Sequence, residues 1–268
     1  TMKRFFFLIV LMAALHTHAQ QSFTLFRQEP CGCTHVSADE LGNLYFQGPR
    51  FIERRNAVGG GTFRNSELQW GEYQSIDLTD PLRPFIHFPS AGKLVFWDNT
   101  LSMQGSPVDL FEQGFDQIEL ACGSRGDAFW LWDSRQSELL RVDRTFQRLS
   151  SSGNLSVLLG FAVLPVQLIE RGSSLYVRTS DHRVLIFDIY GAFKKQLQPG
   201  EIRDMQVVHD RLYFITEKEI HMINTVTSES AQLPLPLSDA RFYASKGMLY
   251  AVKAGVLYTF KFPETARN

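Results

Sequence analysis

One short pattern recurs six times along this chain: a turn residue, a strand with an aliphatic and aromatic centre, then a second strand. Its instances are Gly42-Asn43-Leu44-Tyr45-Phe46, Gly92-Lys93-Leu94-Val95-Phe96-Trp97, Gly126-Asp127-Ala128-Phe129-Trp130-Leu131-Trp132, Gly172-Ser173-Ser174-Leu175-Tyr176-Val177, Asp210-Arg211-Leu212-Tyr213-Phe214-Ile215 and Gly247-Met248-Leu249-Tyr250-Ala251-Val252. With Leu44, Leu94, Ala128, Leu175, Leu212 and Leu249 as register marks, the gaps are 50, 34, 47, 37 and 37, a mean of 41. A unit of about 40–45 residues, with room for four short strands, is the signature of a propeller blade. Helical periodicity is nearly absent after residue 19.

The second strands support this register. Phe51–Arg55, Glu138–Asp143, Arg183–Asp188, Glu219–Asn224 and Gly255–Phe260 each begin 6–10 residues after their mark, the spacing of a hairpin. Asp143, Asp188 and Asn224 close three of them with turn formers. Phe193-Lys194-Lys195-Gln196-Leu197 reads as an outer strand. The last unit, about residues 240–262, has room for three strands only, and Ser22-Phe23-Thr24-Leu25-Phe26-Arg27 is expected to supply its fourth. Pairing the two termini in one blade closes the ring and removes an exposed edge. The prediction is an all-β, six-bladed propeller over residues 20–268, with a β-sandwich as the competing fold. Gly59-Gly60-Gly61 and Ser150-Ser151-Ser152-Gly153 are expected in loops between strands.

Residues 2–19 form a separate segment. Lys3 and Arg4 precede an apolar run from Phe5 to Leu15, and Thr17 and Ala19 stand three and one positions before a cut ahead of Gln20. This is a secretory signal-peptide pattern, and 11 apolar residues are too few to span a bilayer. Cys31 lies too far behind that run to receive a lipid. Export to the periplasm or cell surface is expected, with no transmembrane segment in the mature chain. Removing two bases and no acids with residues 1–19 leaves 25 bases against 28 acids, a net charge of −3. That provides no basic field for a phosphate backbone, so nucleic-acid binding is excluded. A chain that is 44% hydrophobic, 13% aromatic and 21% charged is not disordered.

The repeated Gly-Asn-Leu-Tyr and Val-Leu-Ile-Phe-Asp strands resemble those of six-bladed propellers of the NHL-repeat and gluconolactonase-like kind. Ile76-Asp77-Leu78-Thr79-Asp80-Pro81-Leu82-Arg83-Pro84 is similar to a stretch in small periplasmic propellers of Bacteroidota, which can accompany outer-membrane secretion or assembly machinery. The resemblance implies the fold, the compartment and a bias toward protein partners.

Candidate chemistry is sparse. Cys31, Cys33 and His35 alternate, so an extended strand would place all three on one face. They read as structural thiols, as one end of a long-range disulfide to Cys122, or as a soft-metal site lacking a fourth ligand. A bridge between Cys31 and Cys33 themselves would be strained in extended backbone. His87 and His221 lie within apolar strands, whereas His182 and His209 adjoin Asp181 and Asp210 in turns, where a dyad would have to orient a base. Asp77, Asp80, Asp98, Asp109, Asp133, Asp143 and Asp188 could in principle converge on a propeller channel and hold calcium, yet most end strands as turn formers. Trp70, Trp97, Trp130 and Trp132 are expected to pack between blades, with a partner or sugar platform as the functional alternative. Arg83, His87 and Trp97 form the candidate interaction surface. Glu53-Arg54-Arg55 reads as a solvated edge.

The sequence contains no nucleophile elbow, His-Glu-x-x-His helix or phosphate-cradling glycine loop. These readings predict a non-catalytic protein-interaction subunit without a cofactor, its partners proteins of the cell envelope. The alternative is a propeller hydrolase or lactonase with channel-bound calcium or zinc. A glycan-binding module using the tryptophans is a third, weaker option.

Overall fold

The computed structural model describes residues 22–263 except 67 and 75. The signal-peptide segment lies outside the described residues. Among the described residues, 24 strands form six antiparallel four-stranded sheets. From the innermost strand outward, blade 1 is β2 (His35–Ala38), β3 (Leu44–Gly48), β4 (Phe51–Arg55) and β5 (Thr62–Asn65). Blade 2 is β6 (Ile76–Asp77), β7 (Phe85–Phe88), β8 (Lys93–Phe96) and β9 (Val108–Asp109), and blade 3 is β10 (Ile118–Ser124), β11 (Ala128–Asp133), β12 (Glu138–Val142) and β13 (Arg148–Ser151). Blade 4 is β14 (Pro165–Arg171), β15 (Ser174–Thr179), β16 (Val184–Asp188) and β17 (Phe193–Leu197), and blade 5 is β18 (Asp204–Val208), β19 (Arg211–Ile215), β20 (Glu219–Asn224) and β21 (Ser230–Pro234).

Blade 6 is built from both ends of the chain. β22 (Arg241–Ser245), β23 (Met248–Lys253) and β24 (Val256–Lys261) are followed outward by β1 (Thr24–Pro30). The β1–β24 ladder runs from Thr24 opposite Lys261 to Pro30 opposite Val256. Phe23 then meets Phe262 edge-on at 4.9 Å between ring centroids. The expected closure is present, with its strand beginning and ending slightly later than the alternating segment 22–27.

The uneven early spacing of the repeat has a simple origin. Five of the register marks fall in second strands, but Leu94 falls in β8, the third strand of blade 2. The equivalent second strand is β7, beginning at Phe85, and from 44 to 85 to 128 the gaps are 41 and 43. The Ser150–Gly153 run also differs from its expected place: Ser150 and Ser151 belong to β13.

Each sheet has a neighbour on both faces, so its strands are apolar on both sides rather than alternating with polar residues. In β11, Trp130 and Trp132 pack against blade 4, while Phe129 and Leu131 pack against blade 2. Six apolar clusters result, one per blade junction, and the smallest joins Val252 and Leu257 of blade 6 to Val36 and Phe46 of blade 1. Asp98, Asp143, Asp188 and Asn224 end third strands, each accepting two backbone N–H bonds from the following turn.

A buried or half-buried polar group also joins each pair of blades. Asp77 accepts the Gly123 N–H at 2.8 Å, and Gln167 donates to the Met205 carbonyl at 2.9 Å. Gln206 both donates to the Phe242 carbonyl and accepts the Ala244 N–H. The Tyr243 hydroxyl donates to the Ala38 carbonyl, sewing blade 6 to blade 1. Arg54, expected on a solvated edge, is instead buried and donates to the Asn99 carbonyl, tying blade 1 to blade 2. The approach at Gly123 is so close that a Cβ there would stand 2.9 Å from Asp77 and Thr79.

The densest of these links is Glu170 of β14, which accepts from the Trp130 indole at 2.6 Å, the Ser124 hydroxyl at 2.6 Å and the Arg125 N–H at 2.9 Å. Removing a buried acceptor leaves its donors unsatisfied. Glu170→Ala is therefore expected to lower unfolding free energy by about 3 kcal/mol, with Glu170→Gln costing less; urea titration followed by tryptophan fluorescence measures both.

Candidate functional site: the axial channel

The inner strands β2, β6, β10, β14, β18 and β22 surround a cavity of about 1120 Å³ on the ring axis. All six run from a first face to a second face. The blade-to-blade bonds show this, since Gln167 near the start of β14 meets Met205 near the start of β18, and Asp77 at the end of β6 meets Gly123 near the end of β10. At the second face, Arg171 of blade 4 forms an ion pair with Glu40 of blade 1. These are opposite blades of a six-membered ring, so the pair spans the axis and forms a floor. The channel is a funnel that opens on the first face.

The mouth is basic. Arg178, paired in register with Gln167, lines it with Arg203, Arg241, His35 and Arg50, and the carboxylate of Glu72 is also in the lining. Asp204 sits in the wall among them. Burial raises its pKa, opposed by hydrogen bonds from the Gln206 side chain and the Met205 N–H and by the charge of Arg178. Burial and the charge of Arg241 lower the pKa of His35. Near the floor, burial raises the pKa of Asp77, while N–H bonds from Gly123 and Thr79 act in the opposite direction.

The sequence-selected residues do not assemble here. Of the seven aspartates considered as a calcium ring, Asp77 alone lines the channel. Asp98, Asp143 and Asp188 cap turns, Asp133 accepts two N–H bonds in the turn after β11, and Asp109 pairs with Lys93 at 2.5 Å. Among the described residues no three His, Cys, Asp or Glu side chains are grouped to hold a metal. His182 contacts the Ile202 carbonyl rather than Asp181, which pairs with Arg183. His182 and His209 both take positive φ in turns, a conformation in which His is enriched.

Arg83, His87 and Trp97 do not form an exposed surface. His87 is 1% and Trp97 2% exposed, because β7 and the residues after β8 are covered on both faces by blades 1 and 3. Arg83 lies half-buried over the Phe96 ring, 4.3 Å from its centroid. Trp130 and Trp132 are likewise buried and Trp70 packs on Phe88, so the tryptophans provide packing rather than an open aromatic platform.

Cys31 and Cys33 are joined as a disulfide, their Cα atoms 5.1 Å apart. The expectation of strain assumed an extended backbone, but Gly32 adopts φ +60° and the chain turns there between β1 and β2. Cys31 and Gly32 both donate backbone N–H bonds to the Gly255 carbonyl, fixing this turn to the β23–β24 hairpin. The long-range bridge to Cys122 is absent: Cys122 is a buried thiol between blades 3 and 4, its pKa raised by burial.

The architecture is that of a six-bladed β-propeller with an axial funnel. No protein-family model matches the chain, and no curated protein matches it significantly. Solved structures do match. A chain of the mitotic checkpoint complex superposes with TM-score 0.64 at 13% identity, covering 98% of this chain and 99% of that one. Virginiamycin B lyase from Staphylococcus aureus gives 0.59 at 8% identity over 90% and 100% of the two chains. A streptogramin B lyase gives 0.58 at 10% identity over 90% and 97%. At these identities the likeness shows the fold alone.

His87 is a sensor of the packed state. Neither ring nitrogen has a hydrogen-bond partner among the described residues, and burial lowers its pKa to about 4. The unfolded chain, with an ordinary histidine, takes up a proton first as pH falls. His87 thus leaves stability intact above about pH 6.5 and removes about 3 kcal/mol as pH falls to about 4. His87→Leu is expected to flatten this part of the stability profile, measured by urea unfolding between pH 4 and pH 7.

Proposed function

We propose that this protein is an exported, non-catalytic propeller that binds protein partners of the cell envelope through its first face. The observation that carries the reading is the connection between blades 3 and 4. There α1 (Leu155–Leu159) inserts Leu155 into the core but leaves Val157 81% exposed and Leu158 exposed beside it. Leu164, 63% exposed, and Val166 continue the apolar stretch to the rim of the funnel. The Asn154 side chain caps α1 by accepting the Val157 N–H, and Gly160 ends it in left-handed conformation, so these side chains are displayed on a fixed turn. Apolar side chains held rigidly at a surface favour protein association.

The signal-peptide pattern and the Cys31–Cys33 disulfide support an oxidising, exported setting. The finer form of the proposal, a subunit of an outer-membrane secretion or assembly complex, rests on the resemblance of residues 76–84 to small periplasmic propellers. In-cell cross-linking, affinity capture of the full chain and mass spectrometry test it. The expected result is a stoichiometric envelope protein, lost in the Leu158→Asp/Leu164→Asp variant, whose fold stability stays within about 0.5 kcal/mol of the parent. Capture of no stable partner, or equal capture by the variant, would overturn the reading, as would stoichiometric calcium or zinc with lactone turnover.

A further inference from the structure

We infer that the mouth of the axial funnel is a binding site for an acidic peptide segment, gripped by Arg178, Arg203 and Arg241; this rests on the protein-binding reading above and specifies the partner's chemistry. The three guanidinium groups come from consecutive blades 4, 5 and 6, and all line the cavity at its first face. Arg50 of blade 1 extends the basic arc, with the His35 imidazole beside it. Like charges gathered by a fold repel one another, and several arginines elsewhere in this ring have carboxylate partners, as Arg27, Arg55, Arg148 and Arg183 do.

At the mouth such pairing is sparse. Arg178 and Arg241 have no ion-pair partner within 4.0 Å among the described residues, and Arg203 reaches only the exposed Glu217 at 3.0 Å. Arg178 is nonetheless held in place: its Nε donates to Gln167 Oε1 at 3.0 Å, and Gln167 is itself anchored to the Met205 carbonyl. That leaves the two terminal nitrogens of a half-buried guanidinium without an acceptor among the described residues. A planar fork fixed at its stem and unpaired at its tip suits bidentate capture of a carboxylate. Asp204 stands in the wall with Arg178 and Arg241 and offsets part of their charge, so the three arginines keep a net positive surplus at the mouth.

Size and continuity favour a peptide over a free ion. The funnel, about 1120 Å³, exceeds the usual small-ligand pocket of roughly 300–1,000 Å³. Its rim includes Val166, which belongs to the exposed apolar stretch running back to Val157. One extended segment carrying an apolar residue followed by acidic ones would satisfy both features. The Arg171–Glu40 pair crosses the axis at the far end of the path such a segment would take.

Fluorescence anisotropy with fluorescein-labelled hexaglutamate, and hexalysine as control, tests the site on the full chain. Hexaglutamate is expected to bind, to weaken with added salt, and to lose tenfold or more in affinity in Arg178→Gln/Arg241→Gln. Arg241→Gln alone, at an exposed position without an ion-pair partner among the described residues, guards against misfolding and is expected to show a smaller loss in the same direction. Binding no stronger than hexalysine, or unchanged in both variants, would overturn the proposal, as would capture of inorganic phosphate by these arginines without hexaglutamate binding. If the double arginine variant keeps its cellular partner while Leu158→Asp/Leu164→Asp loses it, this inference falls and the broader reading stands.

Discussion

A sheet with two apolar faces cannot end in water, and every blade of this protein has two apolar faces. The ring must therefore close, and closure depends on one ladder, the pairing of β1 with β24. Bringing chain ends some 230 residues apart into contact costs about 5 kcal/mol of loop entropy. Burial of Val36, Phe46, Val252 and Leu257 at the blade 6–blade 1 junction, at about 2 kcal/mol each, exceeds that cost. The Tyr243–Ala38 bond, the Cys31 and Gly32 bonds to Gly255 and the Phe23–Phe262 contact all lie at or beside this closure. The chain concentrates its linking devices where the ring would otherwise open.

Closure also makes the functional surface. With six inner strands parallel around an axis, first residues gather at one face and last residues at the other. That arrangement brings Arg203, Arg241 and His35 to one mouth though they are far apart in sequence, and lets Arg171 and Glu40 meet across the axis. The polar interior has a double use. Gln167 joins blade 4 to blade 5 through one end of its amide and braces Arg178 through the other.

The fold was legible because strand pattern and turn chemistry repeat. Asp143, Asp188 and Asn224 end strands for the reason their residue type implies, and the outer strand 193–197 follows from its hairpin. Blade 2 misled the spacing because its inner and outer strands have only two residues each, so the third strand carried the clearest motif. The site was not legible. Arg178, Arg203 and Arg241 occupy no shared motif, and periodicity cannot tell which end of an inner strand points to a mouth. His87 and Trp97 looked available because polarity and size were read without the neighbouring blades that cover them. Arg54 looked solvated for the same reason, although its carbonyl partner at Asn99 lies on the next blade.

Hydrogen exchange at the β24 amides that face β1 tests the closure most directly. If β1 completes blade 6, these amides exchange as slowly as those of β23, through unfolding of the ring. If they exchange within seconds while β23 stays protected, β1 does not close the sheet and the account is wrong.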